Sequence, residues 1–134
     1  MSRTIKFRAW DKDSKRYGEV VGIEYNESRE IDGIWVWYNI HERYEPIPGA
    51  NVIVEQYTGL KDKNGKEIYE GDRIKIEGSD TVYTVEYGRG VWVARFGDES
   101  GDNICLFHYV QKDMVLYAEV IGNIHENPEL SEGK

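Results

Sequence analysis

Apolar and polar side chains alternate through most of the chain, the period of a half-buried β-strand. In Ile5-Lys6-Phe7-Arg8-Ala9-Trp10, one face takes Ile5, Phe7 and Ala9, and the other takes Lys6, Arg8 and Trp10. Asp11-Lys12-Asp13-Ser14-Lys15 is a polar turn, and Tyr17 to Tyr25 supplies a second strand with Gly18 and Gly22 as bends. The chain therefore opens with a hairpin. Gly33-Ile34-Trp35-Val36-Trp37-Tyr38 and Asn51-Val52-Ile53-Val54-Glu55-Gln56-Tyr57 are rich in the β-branched and aromatic residues that suit a pleated surface. Between them Glu45-Pro46-Ile47-Pro48-Gly49 predicts a chain reversal, because neither proline can donate to a ladder.

The second half is punctuated more tightly. Arg73 to Glu77, Val82 to Tyr87, Val91 to Phe96 and Val115 to Ile121 are strands separated by Gly78-Ser79-Asp80, Gly88-Arg89-Gly90 and a longer acidic loop. Short strands between regularly spaced turns suggest a small barrel or sandwich. Residues 105–114, apolar without clear alternation at Cys105-Leu106-Phe107-His108-Tyr109-Val110, are the one stretch that suits a helix. Asn64-Gly65 favours a type I′ hairpin turn with positive φ at both positions, and Gly71-Asp72 supplies a tight corner before the next strand. The expectation is an all-β chain in two small β sub-regions, 1–57 and 58–126, that form one compact unit with a polar tail at 127–134.

Composition narrows the class. The 134 residues are 40% hydrophobic and 31% charged, with a formal net charge of −8, as befits one soluble globular domain. No stretch approaches the roughly 20 apolar residues that span a bilayer, and the first residues lack the apolar core of a signal peptide. The expected location is the cytoplasm, with no membrane partner. The single cysteine, Cys105, cannot form an internal disulfide. Charge is uneven: Arg3, Lys6, Arg8, Lys12, Lys15 and Arg16 outnumber Asp11, Asp13 and Glu19 in the first 20 residues, whereas eight acids face two lysines from Asp98 onward. Opposite ends can attract, within one molecule or between copies, although an exposed pair contributes only about 0 to 1 kcal/mol. The net negative charge repels a phosphate backbone, so nucleic acid would need a local basic patch.

Constellations for catalysis are weak. Setting Gly65 at the invariant glycine of an EF-hand loop places Leu60 and Gly71 where acids are required, so no calcium loop is expected there. Asp98, Glu99 and Asp102 form an acidic turn that hydration explains. Cys105 and His108 would share a face only on a helix, and a structural zinc site wants four ligands, for which His125 and His41 have no fitting spacing. Gly88-Arg89-Gly90 is too short for a phosphate loop, and no Ser-His-Asp signature is present. No catalytic residue, metal or cofactor is expected. The aromatic faces are more informative. Trp35 and Trp37 share a strand face and are candidate core or interface anchors. Lys6, Arg8 and Trp10 form a mixed basic and aromatic face of the kind that can stack bases.

The block Gln56 to Asp72, the opening Ile5-Lys6-Phe7-Arg8-Ala9-Trp10-Asp11 and the ending Val120-Ile121-Gly122-Asn123-Ile124-His125-Glu126-Asn127-Pro128-Glu129-Leu130 together resemble the YopX family of phage and prophage proteins. The blocks fall at the start, middle and end in the family's order, while Val20 to Val54 and Gly78 to Met114 match nothing. The resemblance implies an all-β fold in two parts, the second like an SH3-type barrel, in a protein of a bacteriophage or an integrated prophage, working in the bacterial cytoplasm. It implies no activity and brings no catalytic or ligand residue. The matched turn residues Gly59, Asn64, Gly65, Gly71 and Asp72 are markers of the fold.

These readings converge on a non-enzymatic accessory protein that acts by protein binding, as a homo-oligomer and with a phage or host protein as partner. The alternative is a nucleic-acid-binding regulator using Lys6, Arg8 and Trp10. A small hydrolase is a third reading, since the many carboxylates could pair in the fold.

Overall fold

The computed structural model describes residues 4–38, 43–48, 51–76, 78–88, 90–95, 103–105 and 118–127. It is an all-β protein, with no helix among the described residues. The chain divides into two compact units at Gln56 and Tyr57, inside one long strand.

The first unit, beginning at Thr4, holds β1 (Phe7–Asp11), β2 (Arg16–Tyr25), β3 (Ile31–Tyr38), β4 (Arg43–Pro48) and the first half of β5 (Val52–Lys61), in the antiparallel order β4-β3-β2-β1-β5. Register follows from burying one face. Ala9 lies opposite Gly18 and Val54, and Val20 opposite Val36. Ala9, Ile34, Val36 and Val52 are thereby gathered into a core, with Val20, Ile23 and Val54 against it. Ile34 and Val36 bury completely, and β-branched residues at these alternate positions suit the core face of β3. Two irregularities interrupt the β2–β3 ladder, one adding Val21 between Val20 and Gly22 and one adding Asp32 between Ile31 and Gly33.

The segment expected to reverse at Glu45 to Gly49 is instead mostly strand: β4 pairs with β3, setting Pro46 opposite Trp35 and Pro48 opposite Gly33. A margin strand tolerates what a central one does not. Residues two apart turn their amides to the same margin, so prolines at 46 and 48 cost no ladder bond when their nitrogens face away from β3. They also deprive an incoming strand of two donors.

The second unit, from Tyr57, contains the rest of β5, then β6 (Glu67–Tyr69), β7 (Asp72–Ile76), β8 (Val82–Gly88), β9 (Val91–Arg95), β10 (Asn103–Cys105) and β11 (Ala118–Asn123). Five of these make an antiparallel sheet ordered β10-β9-β8-β7-β11. Its core is Ile68, Ile74, Tyr83, Val85, Ala94 and Ala118, flanked by Leu60, Ile76, Trp92 and Val120. The sheet is open, with β10 and β11 at its margins, so the SH3-like closure implied by the family resemblance is not seen among the described residues. Cys105 ends β10 rather than beginning a helix. The remainder of the expected helix, 106–114, lies outside the described residues.

The turn at Asn64-Gly65 also differs from expectation. Only Gly65 has positive φ, at 81°. Gly65 N–H donates to the Asp62 carbonyl at 3.0 Å, and Asp62 N–H donates to the Lys66 carbonyl at 2.8 Å. This is a longer loop, a turn followed by a left-handed glycine, and not a two-residue type I′ connection. The cause is Asp62, whose Oδ1 accepts the amides of Asn64 and Lys66 at 2.8 and 2.9 Å and so fixes the wider loop.

Candidate binding face

The face of the first sheet opposite its core carries the side chains with chemical interest. Register places Glu19 of β2 opposite both Arg8 of β1 and Trp37 of β3, and Arg8 in turn opposite Glu55 of β5. Trp37, Glu19, Arg8 and Glu55 therefore form one row across four strands. In the next row Trp10 lies opposite Tyr17 and Ile53. The two faces that periodicity identifies separately, Trp35 with Trp37 and Arg8 with Trp10, are one face of one sheet. Lys6, half-buried, immediately precedes β1.

Within that face Glu55 is the organising group. It is only 2% exposed, and its Oε1 accepts from Arg8 Nε at 2.8 Å and from the Tyr17 hydroxyl at 2.9 Å. The Arg8 guanidinium carbon sits 4.3 Å from the centroid of the Tyr17 ring, and the Trp10 ring lies 4.9 Å from Tyr17 at a 60° tilt. A buried carboxylate needs such partners, because leaving a charge uncompensated in a protein interior is costly. Neither Glu55 nor Tyr17 stands out in the sequence. The available signal was parity, which puts Glu55 on the side of its strand opposite Val52 and Val54.

Toward β3 the face opens. Trp35 is 38% exposed, packs over Gly22, and donates its indole N–H to Glu24 Oε1 at 2.7 Å. Glu19 and Glu24 are exposed beside it. Trp10 by contrast is 8% exposed. A base cannot stack on a buried indole, and the Arg8 charge is already met by Glu55.

The fold-marker residues explain themselves as a clasp. Asp62 Oδ2 accepts the Val120 amide at 2.9 Å, and Lys63 N–H donates to the Ala118 carbonyl at 2.8 Å, so the β5–β6 loop covers the margin of β11. Gly71, at φ 87°, donates to the Val85 carbonyl, and its own carbonyl accepts from Ile124 at 3.0 Å. Asp72 is buried with Oδ2 accepting the Tyr69 amide at 2.8 Å, and Gly59 has φ 88°. Asn64 is exposed at the loop tip and reaches Glu119 at 3.4 Å. Asn123 Oδ1 accepts the amides of His125 and Glu126, closing the turn after β11. Asp62, the residue that ties the clasp together, is absent from the sequence-derived set, although Asp two positions before Asn-Gly is an Asx-turn signal.

Among the described residues no group of three or more His, Cys, Asp or Glu could hold a metal ion. His41, His108 and the acidic turn Asp98 to Asp102 lie outside the described residues.

The three blocks that resemble the YopX family thus correspond to β1 with its turn, the clasp loop with its corner, and β11 with its closing turn. The YopX protein family model matches residues 6–132. The chain belongs to the YopX family. This YopX-family chain is also similar to a solved structure, protein EF1440 from Enterococcus faecalis, at 31% identity and a TM-score of 0.68, over 98% of this chain and 100% of the other. No curated protein matches it. No helix among the described residues is long and apolar enough to cross a membrane.

Proposed function

We propose that this YopX-family protein is a non-enzymatic accessory protein of a bacteriophage or prophage. It works in the cytoplasm of the bacterial host by binding protein, first of all further copies of itself and then a phage or host protein. The observation that carries this reading is the exposure of large apolar side chains on the adjacent strands β2 and β3, Trp35 on the outer face and Tyr25 and Ile31 at the turn end of the core side. Large apolar groups left open on neighbouring strands of a small domain supply the surface from which an interface is built. Large aromatics such as Trp35 are the usual anchors of such surfaces.

The outer face argues against the nucleic-acid alternative. Its guanidinium is held by Glu55, its Trp10 is buried, and its open part is lined by Glu19 and Glu24. Sedimentation equilibrium of the wild-type protein and of the Trp35→Ala, Trp37→Ala double variant tests the reading. The expected result is an oligomeric wild type with association weakened in the variant by about 2 kcal/mol or more, the usual effect of removing an interface anchor. A wild type that stays monomeric at the highest attainable concentration, combined with salt-sensitive binding of a single-stranded oligonucleotide, would replace this reading with the nucleic-acid one.

A further inference from the structure

Tyr25 and Ile31 face each other across the β2–β3 pair at its turn end and are 62% and 43% exposed. They continue the core side of the sheet, following Ile23 and Ile34, past the point where anything in the described residues buries it. The segment around them, residues 24–32, carries four acids, Glu24, Glu27, Glu30 and Asp32, and one base, Arg29, all exposed. An identical tip from a second copy would bring acids against acids, which disfavours a contact between two tips.

The opposite end of the same strand has the opposite character. The β1–β2 turn exposes Lys12 and Lys15 against one acid, Asp13, while Arg16 lies opposite Asp11 at the strand ends. The ten residues of β2 separate the two ends by about 30 Å. We propose that copies of this protein associate head to tail, the basic β1–β2 turn of one docking on the apolar, acidic β2–β3 tip of the next. This rests on the self-association reading above and adds to the Trp35 and Trp37 anchors of the outer face a second contact, at the turn end of the core side. The lysine stems cover Tyr25 and Ile31, an ammonium group over the Tyr25 ring adds a cation–π contact, and the carboxylates of Glu27 and Glu30 meet the charge. Each copy carries −8, so copies repel in most orientations and join only where unlike ends meet. Because two different patches meet, copies running in one direction form a ring or an open chain, whereas two antiparallel copies would make the contact twice and close as a pair.

Sedimentation velocity on the full-length chain tests this with two charge reversals, Glu27→Lys with Glu30→Lys at the tip, and Lys12→Glu with Lys15→Glu at the turn. The wild type should associate about tenfold more weakly at about 500 mM salt than at about 50 mM. Each reversed protein alone, with two ends of like sign, should sediment at lower mass than the wild type. An equimolar mixture should regain mass, because each end then meets its complement, and that recovery also demonstrates that both variants are folded. If either variant fails to fold, the salt series on the wild type decides. An oligomeric wild type indifferent to salt, or to both reversals, would overturn the head-to-tail contact and leave self-association standing. A wild type that is monomeric throughout would remove both.

Discussion

Asn26 and Asp62 hold the same place in two copies of one turn. Each side-chain Oδ1 accepts the amides two and four residues ahead, at 2.8 and 3.0 Å for Asn26 and at 2.8 and 2.9 Å for Asp62. Each backbone carbonyl accepts from the residue three ahead, and that residue has positive φ: Arg29 at 65° and Gly65 at 81°. The two loops differ in which residue bears the left-handed conformation.

That difference gives paired expectations. Gly65→Val should destabilise the fold by about 1 to 3 kcal/mol, since a β-branched side chain at this φ is strained even though nothing lies within 4 Å of the added Cβ. Arg29→Gly at the equivalent position should stabilise by up to about 1 kcal/mol, because relief of the left-handed penalty outweighs the extra freedom of the unfolded chain. Urea denaturation of both variants reads the signs. Destabilisation by Arg29→Gly as well as by Gly65→Val would mean that the two loops are not equivalent in solution.

Asp62→Asn should cost about 1 to 3 kcal/mol, the usual penalty for an unmet buried hydrogen-bonding group. The carboxylate accepts on both oxygens, from Asn64 and Lys66 on one and from Val120 on the other. An amide must turn its NH2 toward one of these donors. Hydrogen exchange should show the Val120 or the Lys66 amide losing protection, whereas an unaltered exchange pattern would exclude the clasp as drawn.

Glu55→Ala leaves the Arg8 guanidinium and the Tyr17 hydroxyl without their shared acceptor and should destabilise by about 3 kcal/mol. Replacing the pair together, Arg8→Met with Glu55→Leu, should be milder than Glu55→Ala alone, because no charge is then stranded. A double variant as unstable as the sum of the single ones would show that the two residues act independently.

Pro46→Val with Pro48→Val should speed aggregation with little change in the unfolding midpoint. The substitutions restore two backbone donors on the outer margin of β4 without altering its pairing to β3. Light scattering during incubation measures the effect, and an aggregation rate equal to that of the wild type would show that the margin is protected by other means.

Side-chain alternation alone is enough to find most of the strands, since a period of two is a local property of residues such as Phe7 to Asp11 or Val82 to Gly88. Turn chemistry likewise marks Gly65 and Gly71, whose positive φ depends on the backbone of one residue. β6 is implied only by the hairpin turn before it, because three residues are too few to show a period. β4 escapes because proline excludes a central strand but not a marginal one, and position within a sheet is not a local quantity. For the candidate site, alternation pairs Trp35 with Trp37 and Arg8 with Trp10, yet only the cross-strand register, with Glu19 opposite both Arg8 and Trp37, makes them one face. The same dependence on distant chain hides the buried Glu55, which is 47 residues from Arg8, and the two bulges, which decide that Tyr25 and Ile31 continue the core side to an exposed tip. Periodicity states which side chains alternate; it takes the pairing of distant strands to decide which of them meet and which stay open to a partner.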